Sequence, residues 1–234
     1  RTLRGATGTK ISDVIYAFLE DKDGTILVGH EKGLARISKD AKKIIETSFR
    51  ALTPNLDQLP ENLNITDIHH GPSNSLYIGT FRTGLYKAYR NSDLEITKVE
   101  NLSAALQLPS FSIAGIHRDN SDQFWLSHNA GLTRFDPDTL NFQHFSTQHG
   151  FSTVEFNMGA SMAVENGPIY FGGTSGLAML ESVDSWQQTK PIEVGLSSIK
   201  VMEQYLPLPN EFSDYTLELD HTDTIATIEF FGAE

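Results

Sequence analysis

Three apolar residues closed by a small one recur four times along this sequence, as Ile26-Leu27-Val28-Gly29, Leu76-Tyr77-Ile78-Gly79, Phe124-Trp125-Leu126-Ser127 and Ile169-Tyr170-Phe171-Gly172. Four or five residues after the small residue comes Gly-Leu, at Gly33-Leu34, Gly84-Leu85, Gly131-Leu132 and Gly176-Leu177. Successive glycines of these pairs lie 51, 47 and 45 residues apart. That period suits a unit of four strands, and units of this kind bury their apolar faces against one another.

Upstream of each block lies a second strand signal: Ile11, Val14, Tyr16 and Phe18, then Ile65 and Ile68, then Ile113 and Ile116, then Met158 and Met162. Turn formers separate the two, including Asp21-Lys22-Asp23-Gly24, Pro72-Ser73-Asn74-Ser75, Asn120-Ser121-Asp122 and Asn166-Gly167, so each unit begins with a hairpin. A strand with one wet face alternates. An unbroken apolar triplet belongs to a strand covered on both faces, as in radially stacked blades. Gly at the end of the block and before Leu is read as allowing a tight turn into a third strand. A fourth, outer strand is expected near Ile44 to Phe49, Glu95 to Val99 and Phe142 to Phe145, and Leu102 to Leu106 as a short turn. No segment sustains a helical spacing.

The fold class is therefore all-β: a partial β-propeller of about four blades, followed by the beginning of a β-sandwich module. Blades occupy residues 1–190, with repeats near 11–57, 65–102, 113–150 and 157–190. After Leu180 the repeat fades. Ile192 to Met202, Tyr215 to Leu219 and Ile225 to Phe231 read as strands of a second module over 191–234. The sequence begins at Arg1 and stops at Glu234 within an alternating apolar run, and is expected to be a piece of a longer chain.

Thirty acidic against eighteen basic residues leave a formal charge of −12, which repels phosphate backbones and anionic lipid, so nucleic acid and direct membrane contact are not expected. With no cysteine there can be no disulfide, thiolate metal site or cysteine nucleophile.

The stretch from Ile11-Ser12-Asp13-Val14 through Glu20-Asp21-Lys22-Asp23-Gly24-Thr25 to Gly33-Leu34 resembles the two-component regulator propeller repeat, Asp-x-x-Gly-x-Leu-Trp-Ile-Gly-Thr followed by Gly-Leu. The resemblance covers roughly residues 11 to 180. Phe156-Asn157-Met158-Gly159-Ala160 with Tyr170-Phe171-Gly172-Gly173 looks like the closing blade of such sensors. Residues 191–234 look like the start of the immunoglobulin-like module that follows it. Within the pattern, Trp stands only at Trp125, Thr only at Thr80, and Ser127 replaces Gly. The resemblance implies a periplasmic location, outside the inner membrane, with a transmembrane helix leading to a histidine kinase or diguanylate cyclase.

In a propeller the turns from second to third strand and the connections between blades emerge on one face, where ligands bind. That places His30, Lys32, Phe81, Arg82, His128, Asn129 and Ser175, with the interblade residues Glu155, Phe156 and Asn157, on the candidate surface. Aromatic, amide and charged groups around a cavity suit a small polar ligand, a sugar or an amino acid; solvated turn residues are the plainer reading of each. His30 and His128 occupy equivalent positions, but no third metal ligand falls at a telling spacing. His69, His70 and His117 read as structural histidines of the inner strand. Asp21 to Gly24 reads as a turn, since position twelve from Asp21 is Lys32 and not the Glu of a calcium loop.

No Gly-x-Ser-x-Gly elbow occurs, and Gly172 to Gly176 lacks the Lys-Ser or Lys-Thr of a phosphate loop. No catalytic residue, metal or cofactor is assigned. The leading expectation is a ligand-sensing segment of a membrane receptor. The alternatives are a polysaccharide-active propeller enzyme using acids such as Glu155, and an interaction scaffold binding no small molecule. Four blades leave sheet faces and edges for further blades of the parent chain or for a second copy, so self-association is expected.

Overall fold

Each apolar block forms the second strand of an antiparallel sheet, and the chain meanders outward from it. The computed structural model describes residues 14–40, 44–46, 63–180, 193–208 and 216–233. In the first sheet β1 (Ile15–Glu20), β2 (Ile26–His30), β3 (Gly33–Ile37) and β4 (Ile44–Glu46) pair in sequence order. The second repeats this with β5 (Ile65–His70), β6 (Leu76–Thr80), β7 (Leu85–Arg90) and β8 (Ile96–Asn101), and the third with β9 (Ile113–Arg118), β10 (Phe124–His128), β11 (Gly131–Phe135) and β12 (Phe142–Phe145). A fourth sheet holds β13 (Phe156–Ala163), β14 (Ile169–Gly173) and β15 (Gly176–Leu180). The outer strands at 96–101 and 142–145 stand close to where the sequence places them; the part of the first beyond Glu46 lies outside the described residues. Helix among the described residues is confined to two 3-10 turns, Pro72–Asn74 and Thr147–His149. The Leu102 to Leu106 turn is closed by Leu106 N–H donating to the Leu102 carbonyl at 2.9 Å.

The inner strands of successive blades adjoin, β1 with β5, β5 with β9 and β9 with β13. The apolar triplets explain why. Leu76 and Ile78 join Leu27, Leu34, Ile65 and Ile68 in a cluster between the first two blades, whereas Tyr77, between them in sequence, joins Leu85, Phe124 and Phe135 in a cluster between the second and third. Both faces of β6 are thereby buried, and all five of its residues are inaccessible. Each large side chain so covered contributes about 1.5–3 kcal/mol.

The glycine after the first and second triplets proves to serve blade stacking and not the turn. A Cβ on Gly29 would lie 2.7 Å from Ile65 of the next blade, and one on Gly79 would lie 2.8 Å from Ile113. The conformational freedom of Gly is used at Gly131 and Gly176, with φ +118° and +132°. Ser127 is tolerated at the third position because Gly115 stands opposite it on β9 and Ser161 of the fourth blade faces the pair.

Two alternating patterns sit differently from the sequence reading. Ala17, not Val14 or Phe18, is the buried residue of β1; Val14 is 39% and Phe18 69% exposed. Phe18 pairs with Val28 as Ile68 pairs with Ile78 and Ile116 with Leu126, next to the same bulge in each blade. Ile68 and Ile116 are covered by the preceding blade, and among the described residues no blade precedes the first to cover Phe18. On β13, Met158 and Met162 are likewise exposed, a bulged register separating Phe156 from Ser161. The first and fourth blades thus each carry an apolar face that no described residue covers.

The chain divides into two compact units, Arg1–Val183 and Asp184–Glu234; the expected boundary at 190–191 lies outside the described residues. In the second unit β16 (Glu193–Val201) is flanked by β17 (Gln204–Leu206) and β18 (Ala226–Ala233) in the order β17-β16-β18. The strand expected over Tyr215 to Leu219 does not form at 216–219, and Tyr215 lies outside the described residues. β17 is an addition: Met202, at φ +53°, turns the chain back on β16.

Candidate functional site

At one end of the first, second and fourth blades the turn from second to third strand is tied to a segment leading between blades. Glu31 N–H donates to the Val14 carbonyl at 3.3 Å, Phe81 N–H to Asn64 at 2.8 Å, Gly84 N–H to Phe111 at 2.8 Å and Thr174 N–H to Glu155 at 3.0 Å. The two sets of turns expected to share a face therefore do so. Lys32, Arg82, Asn129, Glu155, Asn157 and Ser175 are exposed there, and Phe81 is half-buried.

Three candidates do not reach that surface. His30 and His128 are 1% and 0% exposed, and Phe156 is 5% exposed. The two histidines close their own turns: Lys32 N–H donates to His30 Nδ1 and Ala130 N–H to His128 Nδ1, each at 3.2 Å. His128 Nε2 meets Thr133 Oγ1 at 2.8 Å, which in turn meets His144 Nδ1 at 2.8 Å. Burial, reinforced by His144, holds the His128 imidazole neutral down to about 4, because a charged ring without water is costly. A ring whose Nδ1 accepts a backbone N–H cannot also offer that nitrogen to a ligand. Phe156 instead packs edge-on against Phe171, ring centroids 5.9 Å apart.

The histidines of the inner strands fill the interblade space, as structural residues should. His69 stands edge-on to Phe124 of the next blade at 5.4 Å, and His117 to Phe171 at 5.6 Å. His70 Nε2 lies 2.9 Å from the Glu20 carbonyl of the first blade. Burial pushes His117 down to about 4. The Asp21 to Gly24 segment is a turn, with Gly24 N–H donating to the Asp21 carbonyl at 2.8 Å. Among the described residues no three His, Asp or Glu side chains converge as a metal-binding group.

Two residues of interest escaped the sequence reading. Phe111, 53% exposed, lies on the connection into the third blade, and its ring comes 3.7 Å from the position a Cβ on Gly84 would take. Its one signal was an aromatic set among turn formers in Pro109-Ser110-Phe111-Ser112. Asp67 takes the place on β5 that Ala17 and Gly115 hold in the neighbouring blades. Its carboxylate accepts N–H bonds from Ile68 at 2.8 Å and from Ile116 of the next blade at 2.6 Å. Burial raises it to about 6 despite both bonds. No spacing rule marks such a residue, since its role depends on the adjoining strand.

Stacked antiparallel blades, three of them four-stranded, with an exposed rim of turns place this chain in the propeller class. No family model matches the sequence. Over 114 residues, 49% of the chain, it is 23% identical to histidine kinase P4 of Formosa agariphila, of which that span is 8%. The extracellular domain of the hybrid two component system BT3049 of B. thetaiotaomicron aligns with 84% of this chain and 33% of its own, at 20% identity and TM-score 0.49. YCF48 bound to D1 peptide aligns with 75% of this chain and 53% of its own, at 8% identity and TM-score 0.52. The chain spans less than a tenth of the curated relative, and one third to one half of these two structures. Among the described residues no helix is long and apolar enough to cross a membrane.

Proposed function

We propose that this chain is an extracytoplasmic ligand-sensing segment of a bacterial transmembrane signalling receptor. Its propeller rim receives a small polar ligand. The unit that follows passes the change of state to a cytoplasmic histidine kinase or diguanylate cyclase. The observation that carries this reading is the similarity of half the chain to a histidine kinase, in a fold with a rim of exposed aromatic, cationic and amide groups above sealed interblade cores. Two features of the fold support it. The histidines that a catalytic or metal reading would recruit are engaged in turns and interblade packing. The uncovered faces of the first and fourth blades suit further blades of the same repeat, from the parent chain or a second copy.

Binding energy acts on such a receptor only through unequal affinity for two states, so the ligand must contact groups whose arrangement differs between them. Calorimetric titration of a panel of neutral oligosaccharides, acidic oligosaccharides and amino acids tests the reading. Saturable binding by one class is expected. Absence of binding by every member, to this chain and to the longer receptor carrying it, overturns it, and cleavage of a glycan that Glu155→Gln abolishes replaces it with the enzyme reading.

A further inference from the structure

The second blade departs from the repeat at one place. Between the paired residues Gly29 and Leu34 lie four residues, as they do between Ser127 and Leu132 and between Gly172 and Leu177, but five lie between Gly79 and Leu85. The extra residue falls in Thr80-Phe81-Arg82-Thr83-Gly84. Insertions in a repeat protein gather on the binding face. Here the insertion puts Arg82, a residue with a Cβ, into the left-handed region at φ +74°, and an outlier of this kind persists only where its surroundings hold it.

The surroundings do hold it. Thr80 Oγ1 donates to the Gly84 carbonyl at 2.6 Å, Thr83 Oγ1 to Thr80 Oγ1 at 2.7 Å, and Asn101 Nδ2 to the Thr83 carbonyl at 2.9 Å. With the bonds to Asn64 and Phe111, the turn is braced from both flanking connections. The Arg82 guanidinium carbon lies 4.7 Å over the Phe81 ring, a cation–π arrangement that fixes its plane while leaving its N–H donors to solvent. Among the described residues no carboxylate pairs with it, in a protein of net charge −12. Phe111 presents an exposed ring beside the same turn.

We propose that Arg82 and Phe111 form the specificity-determining subsite of the rim, and that it takes a carboxylated saccharide. This deepens the sensing reading and rests on it. A planar guanidinium donates two parallel N–H bonds to a carboxylate, and an exposed aromatic ring offers an apolar platform to the C–H face of a sugar. An amino acid needs in addition a partner for its ammonium group, and the side chains bracing the turn include no acid: Thr80, Thr83, Asn101 and Ser103.

The test titrates trigalacturonate, neutral galactotriose and glutamate into the chain and into Arg82→Gly, Arg82→Lys and Phe111→Ala. Glycine relieves the left-handed strain, so Arg82→Gly keeps the fold, which its melting temperature reports. Trigalacturonate binding is expected to weaken at least tenfold in Arg82→Gly and severalfold in Arg82→Lys, with Phe111→Ala also weakening it. Binding of galactotriose or glutamate as tight as that of trigalacturonate, or trigalacturonate affinity unchanged in Arg82→Gly, overturns the subsite and leaves ligand sensing intact. Absence of binding by every probe and by the wider panel overturns both.

Discussion

Asp21 and Arg90 form a 2.6 Å ion pair whose two side chains are each 1% exposed, and it joins the hairpin of the first blade to the third strand of the second. Asp21 also accepts Lys22 N–H at 2.9 Å, and Arg90 Nε donates to the Asn74 carbonyl at 2.6 Å. The pair thus clamps two hairpin turns from adjacent blades. Removing one partner of a dry pair strands the other charge. Arg90→Met is expected to cost about 3–5 kcal/mol by urea denaturation. Combining it with Asp21→Asn, which keeps the bond from Lys22 without the charge, recovers a large part of that loss. A double variant no more stable than Arg90→Met would show that the clamp is not electrostatic.

The close approach of blades at Gly79 makes a second prediction. A side chain there drives into Ile113 and Ile116 of the third blade, so Gly79→Val should destabilise by about 1–3 kcal/mol. Ser127→Ala, at the equivalent position opposite Gly115, should change stability by less than about 0.5 kcal/mol. Equal losses in thermal denaturation would contradict the account of blade stacking.

Stability against pH carries two opposing contributions. His128 titrates near 4 in the fold against about 6.5 unfolded, so its contribution is complete above about 6.5 and drains away as pH falls towards 4, a loss of about 3 kcal/mol. His117, also near 4, acts in the same direction. Asp67 titrates near 6 against an ordinary value of 3.8. The fold therefore binds its proton more tightly than the unfolded chain does, and this one contribution stabilises as pH falls from about 6 to 4. Asp67→Asn removes this titration and is expected to steepen the loss between pH 6 and 4, while at pH 7.5 it lowers stability because its NH2 cannot accept one of the two N–H bonds from Ile68 and Ile116. A variant with the parent's slope would remove Asp67 from this role.

Uncovered faces on the first and fourth blades predict self-association of the isolated chain. Sedimentation velocity is expected to show concentration-dependent dimers, reduced by Phe18→Asp or Met162→Asp, whose parent side chains are 69% and 57% exposed. Neither change should lower thermal stability by more than about 0.5 kcal/mol, since neither side chain is buried within the chain. A monomer at high concentration overturns the prediction.

The repeat was legible because sandwiching between blades leaves a local mark: apolar residues pointing both ways from one strand, as Leu76, Tyr77 and Ile78 do. The rim was legible in outline, since Lys32, Arg82 and Asn129 follow from the position of the turn. His30 and His128 were misplaced because position in a turn does not say which way a ring faces, and backbone N–H donors drew both rings inward. Phe18 lies on the strand its alternation marks but is exposed, because the equivalent Ile68 and Ile116 are covered by a preceding blade and no described blade precedes the first.

Taken alone, the sequence determined the number of blades, their strand order and the apolar layers between them, because these follow from periodicity and turn chemistry within some fifty residues. Only the tertiary structure decided which small residues a neighbouring blade presses on, that Asp67 closes a bond to Ile116, and that Asp21 finds its counterion in Arg90, 69 residues away. Those choices depend on contacts between units that share no local pattern, where burial removes water and makes each unpaired charge or misplaced methyl group costly.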